Sequence, residues 1–111
     1  MNLTILMPCL NESQTLPKCI NQAKSFLSNN SIDGEILIAD NGSTDGSGEI
    51  ALAMGCRVIR VEEKGYGSAL IAGINAALGE YVIMGDADAS YDFTALQGFI
   101  LRAIAADGGA N

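Results

Sequence analysis

Short apolar runs alternate along the chain with segments whose apolar residues have helical spacing. Four of these runs are typical of strands, and the first is nearly unbroken, as in a strand that is buried on both faces. The predicted strands are Leu3–Met7, which Pro8 ends, Glu35–Asp40, Arg57–Val61 and Tyr81–Met84. Alternation in the third run predicts a strand with one partly exposed face, as at the edge of a sheet.

Between these strands, apolar residues recur with the period of an amphipathic helix. The predicted helices run from Thr15 to Ser28, from Ser47 to Met54, from the end of the Glu62–Gly67 loop to Leu78, and from Phe93 or Thr94 to Ala106. Gly55 and Gly79 fit the positions that follow the second and third helices. Small residues in the third helix predict close packing on a sheet. The order βαβαβαβα therefore predicts an α/β fold, a mainly parallel sheet with helices on both faces.

Composition narrows the classes of function. The 111 residues suit one small domain, residues 1–111, and the net charge of −7 offers no basic surface for nucleic acid or anionic lipid. The absence of histidine excludes Ser-His-Asp and Cys-His catalysis and His-ligated zinc, so metal chemistry would have to use carboxylates. No signal peptide is predicted, and no stretch reaches the ~20 apolar residues of a membrane span.

The three cysteines have no CxxC spacing, and their odd number argues against a disulfide framework. We interpret Cys9, Cys19 and Cys56 as small buried apolar residues. Free cysteines are typical of a reducing compartment, which predicts a cytoplasmic location.

Polar residues collect where the predicted strands end, and ligands of parallel α/β sheets bind at these carboxyl ends. The segments concerned are Pro8–Glu12, Asp40–Ser43, Glu63–Gly65 and Asp86–Asp88. The opposite strand ends show no comparable cluster, and we interpret the asymmetry as functional.

Asp86 and Asp88 are the candidate metal ligands. They lie two apart in an extended segment, so both carboxylates point the same way and a cation would relieve their repulsion. Mg²⁺ or Mn²⁺ prefers such oxygen ligands together with substrate phosphates. The structural alternative is that both aspartates cap the turn and helix that follow.

Each of the other candidates also has a structural alternative. Asp40 could accept a hydrogen bond from a nucleobase or cap the next loop, and Glu12 could bind a ribose hydroxyl or simply precede a helix. Lys64 could add charge beside a phosphate or be solvated. The glycine-rich segment from Gly65 departs from the dinucleotide fingerprint at Leu70 and follows the third strand, which argues against a redox Rossmann domain. Its glycines could still let backbone N–H groups approach a phosphate.

In order and spacing, four segments together resemble the family 2 glycosyltransferases of the GT-A fold. They are Leu6–Glu12, Ile38–Gly46, Lys64–Gly67 and Met84–Asp88, and the likeness extends from about residue 3 to residue 106. Gly85–Phe93 is similar to the dolichyl- or polyprenyl-phosphate mannose synthase-like group. The resemblance implies a Rossmann-like GT-A nucleotide-diphospho-sugar transferase fold and sugar transfer from a GDP- or UDP-sugar.

The resemblance also implies a role for individual residues. Pro8, Leu10 and Glu12 would line the base and ribose pocket, Asp40 would contact the base, and Asp86, Ala87 and Asp88 would bind the metal and the donor diphosphate. Asn41, Lys64 and Gly65 complete the predicted donor-binding set. Asn41 stands where the family often has a second acidic residue, which predicts altered base recognition.

Family members are usually longer, and their second half supplies the acceptor site and, where one is used, the general base. The resemblance therefore implies that residues 1–111 form a donor-binding portion that is incomplete at its C-terminus and carries no catalytic group of its own. A polyprenyl phosphate acceptor is a hypothesis from the subfamily likeness and would place the protein at the cytoplasmic face of a membrane. The alternative is a non-catalytic nucleotide-binding or interaction module with the same fold.

Overall fold

The computed structural model describes residues 1–85 and 100–102. Its elements, in chain order, are β1 (Leu3–Cys9), α1 (Leu16–Asn29), β2 (Gly34–Asp40), α2 (Ser47–Ala53), β3 (Arg57–Arg60), α3 (Tyr66–Ala76), β4 (Tyr81–Met84) and β5 (Ile100–Arg102). The predicted alternation of strands and helices is confirmed through the fourth strand.

The described strands form one sheet in the order β3-β2-β1-β4-β5. Strands β1 to β4 are parallel, whereas β5 runs antiparallel to β4. Strand β3 lies at an edge, as predicted. The chain first adds strands on one side of β1 and then places β4 on its other side, so the switch point of the sheet lies beside β1.

Successive residues of β1 face opposite layers of helices. Ile5 and Met7 pack with α1 and α2 in one buried cluster, and Leu6 packs with α3 in the other. Gly73 of α3 has no room for a Cβ, which would overlap the Leu6 side chain. The predicted close packing of the third helix is therefore confirmed, as are helices on both faces of the sheet.

Strand β1 continues two residues beyond its predicted end. We expected Pro8 to end the strand, but Pro8 pairs in register with Ala39 of β2. The Cys9 carbonyl accepts the Asn41 N–H, so Cys9 faces β2 and the nitrogen of Pro8 points the other way. The described pairing with β4 ends at Leu6, before Pro8 is reached. The proline therefore removes no donor from the described ladder.

Two of the helix predictions need correction. Helix α3 ends at Ala76 rather than Leu78, because Ala77 already has extended backbone, with φ −65° and ψ 138°. The last predicted helix is wrong at residues 100–102, which form β5 with Leu101 opposite Val82. A short apolar run fits a strand and a buried helix equally well, which accounts for the error. The remainder of that predicted helix lies outside the described residues.

The amino ends of the strands hold a polar network that we did not predict. The largely buried Glu35 carboxylate accepts hydrogen bonds from the Thr4 hydroxyl at 2.6 Å and the Leu78 N–H at 2.8 Å. It also pairs with the Arg57 guanidinium at 2.7 Å, and the Thr4 hydroxyl accepts the Gly79 N–H. Our interpretation that this end carries no comparable polar cluster is therefore wrong. The network joins β1, β2 and β3 to the connection between α3 and β4.

All three cysteines are buried and none is in a disulfide, which confirms their interpretation as small buried residues. Burial raises the pKa of the Cys9 thiol and of the Cys56 thiol. Neither thiol is therefore activated as a nucleophile by its surroundings.

Candidate functional site

The carboxyl ends of three adjacent strands meet at one edge of the sheet. Cys9 at the end of β1 lies opposite Asp40 at the end of β2, and Leu6 lies opposite Met84 near the end of β4. Gly85, which is buried, donates its N–H to the Leu6 carbonyl at 3.0 Å. The segments that follow β1 and β2 are therefore brought together as predicted, and Gly85 lies at the same edge.

The three residues predicted for the base and ribose pocket differ in exposure and in hydrogen bonding. Pro8 is buried within β1, whereas Leu10 is 50% exposed at the start of the loop after it. The Glu12 N–H donates to the Ser47 hydroxyl at 3.1 Å, which fixes the backbone at this point. Within residues 1–85 the Glu12 carboxylate makes no hydrogen bond, so it is available to a ligand.

Asp40 is 3% exposed, and its carboxylate caps the turn that leaves β2. Its Oδ1 accepts the Ser43 N–H at 3.0 Å, and its backbone carbonyl accepts the Val61 N–H at 2.8 Å. The structural alternative for Asp40, capping of the next loop, is thus present. A contact between Asp40 and a nucleobase stays a prediction.

Asn41 is directed away from the open edge and into the protein. Its side chain is 6% exposed, and its amide donates to the Val61 carbonyl at 3.0 Å and to the Glu63 carbonyl at 2.9 Å. Its Oδ1 accepts the Gly65 N–H at 2.9 Å. The side chain therefore binds the loop between β3 and α3, and its predicted contact with the nucleotide stays a prediction.

Lys64 and Gly65 lie in that loop, just before α3. Gly65 is the N-cap of α3 with φ +118°, a conformation that residues with a side chain rarely adopt. Lys64 is exposed, and its ammonium reaches back over the turn after β2, because a Cβ on Gly42 would lie 2.9 Å from Nζ. A positive charge is therefore held beside Gly42, two residues after Asp40 in the sequence.

Two loops that are far apart in sequence are joined at this edge, and sequence reasoning missed the residues that join them. The Asn11 N–H donates to the Ser43 hydroxyl at 2.8 Å, and Asn11 Oδ1 accepts the Thr44 N–H at 2.8 Å. Asn11 has φ +54°, a left-handed conformation that asparagine tolerates. The available signal was the concentration of Asn and Ser residues after both strands, but their partners depend on the fold.

Asp45 and Ser47 strengthen the same junction. Asp45 Oδ2 accepts the Ser13 N–H at 3.0 Å, while its Oδ1 accepts the Ser47 hydroxyl. These bonds, with that of the Ser47 hydroxyl the largest cause, lower the pKa of the Asp45 carboxyl to about 2. The side chain is thus a loop and capping group.

Asp86, Ala87 and Asp88 lie outside the described residues. Within the part of the chain that the structure describes, no three Cys, Asp or Glu side chains form a group that could hold a metal ion. Across those same residues, none of the helices has both the length and the hydropathy needed to cross a bilayer.

Comparison with known sequences supports the resemblance. The sequence profile described as "Glycosyl transferase family 2" matches residues 4–109. The low-salt glycan biosynthesis hexosyltransferase Agl6 of Haloferax volcanii is 43% identical over 94 residues, which are 85% of this chain and 22% of that protein. A dolichyl-phosphate beta-glucosyltransferase of Drosophila melanogaster is 28% identical over 106 residues, with 84% of this chain and 32% of that protein covered.

Solved structures share the fold. Mannosyl-3-phosphoglycerate synthase from Rubrobacter xylanophilus superimposes with a TM-score of 0.73 at 22% identity, over 79% of this chain and 31% of that chain. Glucosyl-3-phosphoglycerate synthase from Mycobacterium tuberculosis, crystallised with Mn²⁺, UDP-glucose and phosphoglyceric acid, gives a TM-score of 0.68 at 29% identity. In that case 78% of this chain and 33% of that chain are covered. The chain thus spans about a third or less of the proteins that it matches here.

Proposed function

This chain belongs to glycosyl transferase family 2, and from that membership we propose that it binds the nucleotide-sugar donor of a sugar-transfer reaction. The donor would be a GDP- or UDP-sugar, and the relative crystallised with UDP-glucose and Mn²⁺ supports this class of ligand. The protein to which this portion corresponds would transfer the sugar to an acceptor. Family relatives named as hexosyltransferase and glucosyltransferase support that reaction type.

The observation that carries the proposal is the convergence of polar groups beside the switch point of the sheet. The Glu12 carboxylate, the buried Asp40 carboxylate and the Lys64 ammonium follow three different strands and border the same edge. Ligands of open α/β sheets bind at this place. Carboxylates can accept hydrogen bonds from the N–H and hydroxyl groups of a nucleotide, and an ammonium can pair with its phosphates. We propose that Pro8 and Leu10 complete the apolar wall of the pocket.

We further propose that Asp86 and Asp88 hold Mg²⁺ or Mn²⁺. Their donor set suits a hard divalent cation, because both ligands are carboxylates and the remaining positions are left for phosphate oxygens. Support from the described residues is positional: Gly85, which directly precedes Asp86 in the sequence, donates its N–H to the Leu6 carbonyl of β1. Such a cation, when bound, would stabilise the charge that develops on the nucleoside diphosphate leaving group.

Calorimetry of the chain with UDP and with GDP, each with Mn²⁺, tests donor binding. We expect one of the two nucleotides to bind and EDTA to weaken that binding. Asp86→Asn combined with Asp88→Asn should weaken it by about tenfold or more, which corresponds to roughly 1.4 kcal/mol. A matched control, Glu80→Gln with Asp33→Asn, removes two exposed negative charges at the amino ends of the strands and should leave the affinity within about twofold. Equal affinities for the two double variants would reject the metal assignment.

The acceptor is a separate proposal. Similarity to a dolichyl-phosphate glucosyltransferase supports a polyprenyl phosphate as the acceptor of the full-length protein. Incubating that protein with labelled nucleotide sugar and polyprenyl phosphate should give a labelled lipid. Product on protein or saccharide acceptors alone would reject the lipid. Nucleotide binding without transfer to any acceptor by the full-length protein would instead favour the non-catalytic module.

A further inference from the structure

The Asn41 side chain is fully occupied by one loop. Both of its amide N–H groups and its carbonyl oxygen are used, and all three partners are backbone groups of the segment from Val61 to Gly65. The side chain is also 6% exposed. A polar group that is buried and satisfied in this way has little capacity left for a ligand.

These bonds hold the backbone on both sides of Lys64. Asn41 donates to the Glu63 carbonyl before Lys64 and accepts from the Gly65 N–H after it. The Lys64 side chain then extends over Gly42, the residue next to Asn41. A lysine has a large rotamer entropy and directs its charge only where its backbone is held in place.

We propose that Asn41 is a positioning residue: it fastens the Val61–Gly65 loop and thereby directs the Lys64 ammonium over the turn after β2. For the identity of the ligand, a nucleoside diphosphate, this inference rests on the proposed function. Asn41 would then affect nucleotide binding through the position of Lys64 and would not contact the base itself.

The choice of asparagine follows from the chemistry of the three bonds. An aspartate could accept the Gly65 N–H, but it has no donor for the Val61 and Glu63 carbonyls. An acidic residue at this position would therefore leave two carbonyls without a partner and place a negative charge beside them. The asparagine amide has the size of an aspartate side chain and satisfies both carbonyls and the Gly65 N–H.

Limited trypsin digestion tests the fastening without any ligand. Lys64 is exposed, so cleavage between Lys64 and Gly65 is limited by release of the loop. Asn41→Ala should speed this cleavage by about tenfold, while cleavage after Lys24 in α1 keeps its wild-type rate. Ser43→Ala, which removes a hydroxyl on the other side of the turn, should leave the Lys64 cleavage rate unchanged. Equal cleavage rates in Asn41→Ala and wild type would overturn the proposal that Asn41 holds the Val61–Gly65 loop.

Amide hydrogen exchange of the wild-type chain gives a second readout if Asn41→Ala does not fold. The Gly65 amide is bonded to a buried acceptor, whereas within residues 1–85 the Glu63 N–H has no acceptor. We expect the Gly65 amide to exchange at least about tenfold more slowly than the Glu63 amide, relative to their unprotected rates. Equal protection of the two amides would overturn the fastening.

A double-mutant cycle on nucleotide affinity tests the action through Lys64. Lys64→Ala and Asn41→Ala should each weaken binding of UDP or GDP by about fivefold, the scale of one charge-assisted contact. The double variant should be no weaker than Lys64→Ala alone, within about twofold. Losses that multiply would show that Asn41 acts independently of Lys64 and would reject the proposal. If wild type binds neither nucleotide, the proposed function fails, and the digestion and exchange results still decide whether Asn41 fastens the loop.

Discussion

At the scale of single residues, the Asp45 carboxylate shows how an exposed group can depend on the fold. It accepts the Ser13 N–H from the loop after β1 and both the N–H and the hydroxyl of Ser47 from the start of α2. The ionised form is the better acceptor, so these bonds lower the pKa of Asp45 to about 2 from its ordinary 3.8. The anion therefore joins two loops that border the candidate site.

We expect this contribution to be lost in acid. Because folding lowers the pKa of Asp45, its stabilising effect is complete above the unfolded value of 3.8 and is lost as the pH falls through about 2. Asp45→Asn should lower the free energy of unfolding in urea near pH 6, and the difference from wild type should shrink near pH 2. Ser47→Ala should move the NMR titration of Asp45 back toward its ordinary value. A difference that is the same at both pH values would contradict this account.

At the scale of elements, the end of α2 is fixed by a glycine. The Gly55 N–H donates to the Leu52 carbonyl and the Cys56 N–H to the Ala51 carbonyl, each at 3.0 Å. This is the Schellman arrangement, and it requires the left-handed backbone that Gly55 has, with φ +87°. The sequence prediction that Gly55 follows the helix is confirmed.

Two glycines that each have space for a methyl group should respond in opposite ways to alanine. Apart from the adjacent backbone, no atom lies within 4 Å of a Cβ added at Gly55 or at Gly67 of α3. Gly55→Ala should cost about 1 kcal/mol, because alanine is strained at positive φ. Gly67→Ala should instead stabilise the chain by roughly 0.5 kcal/mol, because it restricts the unfolded backbone at a helical position. Urea unfolding measures both changes, and a shift in the same direction would show that backbone strain does not decide the outcome.

Element boundaries were predictable where local chemistry sets them and not where pairing does. Gly55 marks the end of α2 through its own backbone preference. Whether Pro8 ends β1 depends instead on which neighbouring strand its nitrogen faces, and that is a property of the sheet. Residues 100–102 form a strand because β4 pairs with them, and an apolar run of this length does not reveal its partner.

The same distinction separates the parts of the candidate site. Glu12 and Asp40 could be placed together from the sequence, because parallel topology alone brings strand ends to one edge. The partners of Asn41 and Glu35 could not be predicted. Asn41 bonds residues 20 to 24 positions away, and the Thr4 hydroxyl that Glu35 accepts is 31 positions away.

At the scale of the whole molecule, the two ends of the sheet differ in the polar groups that they carry. At the carboxyl ends, the charged groups of Glu12 and Lys64 reach the surface, where we propose that the nucleotide binds. At the amino ends, the Glu35 carboxylate is surrounded by the Thr4 hydroxyl, the Leu78 N–H and the Arg57 guanidinium. Glu35 thus joins the strands at their amino ends, whereas Asn11, Asp45 and Asn41 join the loops at the carboxyl ends, beside the two surface charges.

Removing Glu35 should therefore reduce stability without altering nucleotide binding. Glu35→Ala leaves the Thr4 hydroxyl, the Leu78 N–H and the Arg57 guanidinium without their acceptor, and we expect a loss of about 2 kcal/mol. The loss falls below that for a fully buried ion pair because the Arg57 side chain is 37% exposed. The exposed control Glu80→Ala should change the free energy of unfolding by no more than about 0.5 kcal/mol.

Urea unfolding measures the effect on stability, and calorimetry with UDP or GDP measures the effect on nucleotide binding. If Glu35→Ala were as stable as Glu80→Ala, the network would not hold the strands together, and if it weakened nucleotide binding, the two ends of the sheet would not be independent.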